Sequence, residues 1–246
     1  MGGVGTPSLI LPPGASPHEY SLRPSEAAAL QNADIVIWMG ADLAPWMEDA
    51  VETLAGDAEQ LELLEADETQ LLEFREGALF EKHIHGDAEH AEDSDDHDGE
   101  HDHEDHAEHD AHDDHDTHDD HDTHDHGDID PHAWLNPTIA AIWADHIAAA
   151  LSDADPENAN IYAANAQAFS DRLVDLDTQI TAALAPYDGT PLIWPHDAYG
   201  YFADAFPVVT SAGSIADASA REPGPAHIAE LRDTVAEQAV GCVLTD

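Results

Sequence analysis

Apolar residues recur along this chain in two rhythms, a strand-like one and a helix-like one, that take turns. Ser25 to Asn32, with Pro24 before it, reads as a short helix, and Leu43 to Ala55 as a second. Between them Asp34 to Met39 is a β-rich apolar run closed by Gly40, and Gln60 to Leu64 is a second strand candidate. Asn136-Pro137 opens a helix to about Leu151, because Asn caps and Pro suits the first turn. Asp155-Pro156 starts another. In it Ile161, Asn165, Phe169, Leu173, Leu176, Ile180 and Leu184 fall at three- and four-residue steps, one continuous stripe up to Pro186. Such a helix of roughly 29 residues would be about 44 Å long, enough to bridge two lobes.

Beyond it come Leu192 to Trp194 (strand), Asp197 to Ala205 (helix), Val208 to Thr210 (strand), Ala226 to Gln238 (helix) and Cys242 to Thr245 (strand). Alternating strands and helices predict an α/β fold of parallel sheets covered by helices. Ligands in such folds sit beyond the carboxyl ends of the strands. Cys242, the one cysteine, excludes an internal disulfide and reads as a small core residue of the last strand.

One segment breaks both rhythms. From His83 to His126 there is no apolar periodicity, and the segment is expected to be disordered when metal-free. It holds fourteen of the nineteen histidines: His83, His85, His90, His97, His101, His103, His106, His109, His112, His115, His118, His121, His124 and His126. From His103 to His124 they fall at every third position, a spacing that does not build one face of an α-helix. Twenty acidic residues are interleaved with them. Imidazoles mixed with carboxylates suit weak binding of several divalent ions, so these histidines read as accessory metal ligands, a solvated acidic spacer being the alternative.

Charge narrows the partners. The 246 residues carry a formal net charge of −48, from 54 acidic and 6 basic side chains, and with the insertion's twenty acids set aside the rest still carries −28. Nucleic acid is not expected as a partner, since phosphate binding needs clustered Lys and Arg; cations are. An acidic surface with Lys82 as its one lysine suggests a salt-loving host, a mesophilic acidic protein being the alternative. No apolar stretch approaches the ~20 residues a membrane span needs, and no export signal is visible at the start.

Five histidines lie outside the insertion. His146 and His227 fall on predicted helices and read as structural. His18 follows Pro12-Pro13-Gly14-Ala15-Ser16-Pro17 ahead of a helix, His132 precedes the Asn136-Pro137 helix start, and His196 follows the strand Leu192 to Trp194. All three sit at junctions where side chains can converge on a cleft, and three imidazoles with one open position suit Zn²⁺. By spacing alone, a lone histidine beside a proline or a strand end is more often an ordinary hydrogen-bonded polar residue.

Longer segments carry more information. Gly14-Ala15-Ser16-Pro17-His18-Glu19-Tyr20-Ser21-Leu22-Arg23-Pro24-Ser25 resembles the first metal-binding segment of the zinc/manganese solute-binding proteins of ABC transporters. Asp130-Pro131-His132-Ala133-Trp134-Leu135-Asn136-Pro137 is similar to their second, and His196-Asp197-Ala198-Tyr199-Gly200-Tyr201-Phe202 to their third. Glu222-Pro223-Gly224 and Cys242 to Asp246 match two later segments, in the family's order and with a His-rich insertion between the first two histidines.

This resemblance implies two α/β lobes joined by one long helix: residues 1–155 as the first lobe, 156–186 as the linker helix and 187–246 as the second. It implies one metal held by His18, His132 and His196, zinc rather than manganese, since manganese-type members often use Glu at the third position. Pro17 stands where some zinc-type members carry a Glu that reaches the metal, and water is the expected fourth ligand. The chain is expected to be shortened at both ends relative to the family and anchored through an upstream segment. The implied function is capture of Zn²⁺ outside the membrane or in the periplasm, by a monomer, for delivery to an ABC permease. The alternatives are a zinc hydrolase, for which no His-Glu-x-x-His pair is present, and a metal buffer or adhesin without a transporter.

Overall fold

The computed structural model describes residues 1–75 and 129–245. The fourteen histidines from His83 to His126 lie outside the described residues.

Two parallel sheets organise the chain. In the first, β1 (Ile35–Trp38) pairs with β2 (Glu59–Glu62), Ile35 opposite Glu59 and Trp38 opposite Glu62. The crossover between them is α2 (Pro45–Leu54), which buries Met47 and Val51 against Val36, Trp38 and Leu30, the last from α1 (Pro24–Gln31). Glu26 starts α1 by accepting the Arg23 N–H at 2.8 Å. Burying such a set of aliphatic side chains stabilises the lobe by about 1.5–3 kcal/mol for each fully covered residue.

The second sheet has the order β4-β3-β5, all parallel, with β3 (Pro191–His196) in the middle. Its core is Ile193, Ala212 and Leu231, the last from α6 (Pro225–Glu237). Between β3 and β4 lies the short α5 (Gly200–Ala205), whose Tyr201 is 1% exposed. Tyr201 packs with Leu63, Leu64, Ala133, Ile139 and Trp143, so a residue of the second half completes the core beside the first sheet.

α3 (Pro137–Ala154) begins as expected, with the Asn136 side chain accepting the Thr138 N–H at 2.9 Å. It packs on α4 (Ala159–Leu184) through Ala148, Tyr162 and Ala166. The long helix is therefore present, but shorter than its pattern suggested. Pro156–Asn158 is a 3₁₀ turn, and the remaining 26 residues rise about 39 Å. Its apolar stripe is only partly covered: Ile161 is 39% exposed and Leu176 44%. Periodicity marks a face, and the residues of α4 that are fully buried are Tyr162 and Ala166, packed with Ala148 of α3.

Two further expectations are corrected. The strand placed at Val208 to Thr210 is β4, Thr210–Ala216. Its Ser-Ala-Gly-Ser run reads as a turn, yet Ala212, Gly213 and Ser214 are all buried beside β3, with a register irregularity where Ile193 faces Gly213. Cys242 is exposed rather than buried, because β5 (Cys242–Val243) is a two-residue edge strand with both residues exposed.

Candidate metal centre

Each of the three junction histidines is held by a different device. The chain before His18 is anchored by Trp46 of α2, whose Nε1 donates to the Pro17 carbonyl at 2.7 Å. Tyr20 stacks edge-on against the same indole at 5.4 Å and donates its hydroxyl to Glu26. Pro17 thus contributes a carbonyl that fixes the loop.

His132 precedes the 3₁₀ turn Ala133–Leu135 that leads into α3, and it is 2% exposed. Asp130 accepts its backbone N–H at 3.0 Å and faces its Nδ1 at 2.7 Å. That pairing leaves Nε2 as the nitrogen pointing into the site, the arrangement in which a carboxylate orients a metal-binding imidazole. His196 is the last residue of β3, paired in register with Ala216 of β4. It lies at the carboxyl edge of the sheet, where the fold class predicts a ligand.

The three rings meet. His132 Nε2 is 3.4 Å from His18 Nε2. Ring centroids are 5.3 Å apart for His18 and His132, 5.5 Å for His132 and His196, and 6.3 Å for His18 and His196. One ring nitrogen from each lies within 4.8 Å of the others. A tetrahedral Zn²⁺ with Zn–N bonds of about 2.0–2.1 Å needs its nitrogens about 3.4 Å apart. The His18–His132 pair already stands at that spacing, so the donor set fits zinc in both kind and reach.

Electrostatics favour the ligating form. Burial pushes the His18 pKa down from its ordinary 6.5 to about 4, with His132 and His196 adding to the effect and Asp217 opposing it. His18 is therefore neutral, with a lone pair available, well below neutral pH. Asp197, directly after His196, is buried, and burial raises its pKa while Arg75 pulls it back down. Arg75 and Asp197 also line a cavity of about 480 Å³ together with Ser214, Asp217, Arg221 and His227.

All three predicted ligands are thus brought together, and the other two described histidines are not. His146 Nε2 bonds the Asp67 carbonyl at 2.9 Å and His227 Nε2 bonds the Ser214 carbonyl at 2.8 Å, structural partners in both cases. Asp130 was overlooked as the group that orients His132, and Asp197 with Arg75 as a buried pair beside His196. An acid two residues before one of the converging histidines, and an arginine in a chain with six basic residues, were the available signals.

Comparison with known proteins decides the lineage. All 246 residues match the family model of ZnuA, the zinc-uptake complex component A, periplasmic. The chain belongs to the ZnuA family. Its ZnuA relatives include the high-affinity zinc uptake system protein of Paracoccus denitrificans, 39% identical over 247 residues, and that of Brucella abortus, 37% identical over 246. Each alignment takes in the whole of this chain and 71% of the relative. Among solved structures, a crystal structure of ZnuA matches with a TM-score of 0.65 at 21% identity, over 94% of this chain and 70% of that one. AdcAII of Streptococcus pneumoniae matches with a TM-score of 0.64 at 21% identity, over 95% and 69%. These structures share the α/β fold of metal solute-binding proteins, and the ZnuA-family chain places His196 at a strand end, His132 just before a helical turn and His18 in the loop ahead of α1.

Proposed function

We propose that this protein captures one Zn²⁺ at His18, His132 and His196 in the periplasm and delivers it to an ABC permease for uptake. The observation that carries this reading is the convergence of three imidazole nitrogens within 4.8 Å, one of them oriented by a buried carboxylate. Zinc is the cargo, so the site must bind tightly, keep its ligands neutral and release on command. Fixed imidazoles supply the affinity, and water completes the coordination. No covalent chemistry is asked of the protein. No helix among the described residues is long and apolar enough to cross a membrane.

The lobes divide at residues 155 and 186, with β1 and β2 in one, β3 to β5 in the other and α4 between them. The protein works as a monomer. The insertion's fourteen histidines add weaker sites that raise metal capacity without forming the tight one. The acidic, lysine-poor surface suits a salt-rich environment, in which screening removes long-range attraction and leaves short-range coordination to select the ion.

Calorimetric zinc titration tests the site. The chain lacking residues 83–126 is expected to bind one ion tightly, and the same chain with His18, His132 and His196 changed to Ala to bind none. Tight binding that survives the triple substitution would place the site elsewhere. Zinc uptake by cells lacking the protein, restored by the native chain and not by the triple variant, tests delivery.

A further inference from the structure

Arg75 makes an unusual set of contacts for one of six basic residues in so acidic a chain. Its side chain is only 22% exposed. Nε donates to Oδ1 of Asp197 at 3.0 Å, Nη2 donates to the same oxygen, and Nη1 donates to Oγ of Ser211 at 3.2 Å. Asp197 is 7% exposed and follows the ligand His196 directly. Ser211 lies on β4 opposite Leu192, and its Oγ also accepts Nε1 of Trp194 on β3 at 2.8 Å. The guanidinium therefore grips both strands of the parallel pair that ends in His196.

Arg75 itself belongs to a different part of the fold. Its neighbour Glu73 forms an antiparallel bridge with Ile129, and the Asp130 N–H donates to the Leu72 carbonyl at 2.8 Å. The strip that carries Arg75 is thus paired with the strip that carries Asp130 and His132. Gly200 shows how near these groups come. A β-carbon on it would lie 2.7 Å from Oδ2 of Asp130 and 3.8 Å from Nε of Arg75. The carboxylate that orients His132 and the guanidinium that holds Asp197 close over one glycine.

The geometry points to Arg75 as the positioning residue that fixes His196 relative to His132, by tying Asp197 and Ser211 to the strip paired with Asp130. It touches no metal. Its effect runs through the spacing of two ligands that come from different elements of the fold, the end of β3 and the turn before α3, and a metal site tolerates little looseness in such spacing. Without the guanidinium, Asp197 is left buried and unpaired, and the end of β3 must move to rehydrate it. A fork with several donors holds two acceptors in fixed directions, whereas an ammonium acts as a point charge.

The inference rests on the three-histidine reading, so wild type is measured in the same experiment. Zinc affinity of the full chain is read by competition with a chromophoric chelator, and the visible absorption of the first equivalent of Co²⁺ reports ligand geometry. Arg75→Gln is expected to weaken zinc binding by about 10–100-fold, the range for partners behind a ligand, and to shift the Co²⁺ bands. Arg75→Lys should recover only part of that loss; full recovery would overturn the two-strand tie. Should Arg75→Gln fail to fold, the double variant Arg75→Gln/Asp197→Asn removes both charges and is expected to show the same weakening and shift. Wild-type affinity and bands in the folded variant would overturn the inference alone, even if thermal stability fell. A wild-type chain with no tight site would overturn the three-histidine reading and this inference with it.

Discussion

Oδ1 of Asp130 stands 2.7 Å from Nδ1 of His132 and accepts the His132 backbone N–H at 3.0 Å. One carboxylate oxygen thus sets both the ring's orientation and its tautomer, with Nε2 left to face His18. Asp130→Ala should weaken zinc binding by about 10–100-fold, as loss of such a partner does at other sites. Asp130→Asn keeps an acceptor oxygen and should fall between the two. Chelator competition measures both, and wild-type affinity in Asp130→Ala would remove Asp130 from the site.

Gly200 is a steric test of the same cluster. An added β-carbon would stand 2.7 Å from Oδ2 of Asp130, which is 3% exposed and has little room to yield. Gly200→Ala should cost about 1–3 kcal/mol of stability, the range for overpacking, and weaken zinc binding by displacing Asp130. Gly224 is the control, since nothing lies within 4 Å of its added β-carbon and its φ is −72°. Urea unfolding of both variants decides; equal midpoints would mean the cluster relaxes freely around the methyl.

The convergence of His18, His132 and His196 was legible because their motifs come in a fixed order; their spacing alone left each with an ordinary alternative. The partners behind them were not. Asp130 reaches His132 across Pro131 only because the backbone turns there, and Arg75 meets Asp197 across 122 positions of sequence. β4 was misplaced because Ser211, Ala212, Gly213 and Ser214 lack the branched side chains that announce a strand, while β3 beside them supplies the burial. The stripe read along α4 misses the positions the helix buries, Tyr162 and Ala166, each one residue past a stripe position, because a pattern does not tell which part of a helix a neighbour covers.

Charge gives a separate expectation. With a formal −48 spread over 246 residues, the compact state is opposed by self-repulsion that the expanded chain relieves. The Debye length falls from about 10 Å at 0.1 M salt to about 3 Å at 1 M. The urea midpoint of the metal-free protein should therefore rise steadily as potassium chloride goes from 0.1 to 1 M. A midpoint that stays flat would mean the acidic groups lie too far apart to repel, and would withdraw the salt-rich setting.

Acid should destabilise the metal-free protein through His18. An unfolded histidine titrates near 6.5, whereas burial first, then His132 and His196, hold the folded His18 down to about 4. Above pH 6.5 both states are neutral and this contribution to stability is complete. As pH falls from 6.5 towards 4, the unfolded chain takes up a proton that the fold resists, so stability is lost across that window. His18→Asn removes the difference and should lose less stability between pH 7 and pH 5 than wild type, read from urea midpoints at each pH. Zinc binding at pH 5 to 6 should likewise release no proton from His18, which calorimetry in buffers of different ionisation enthalpy can count against His18→Asn. Parallel stability profiles for the two proteins would mean that His18 is solvated enough to titrate normally, and its neutrality would then come from the metal rather than from the fold.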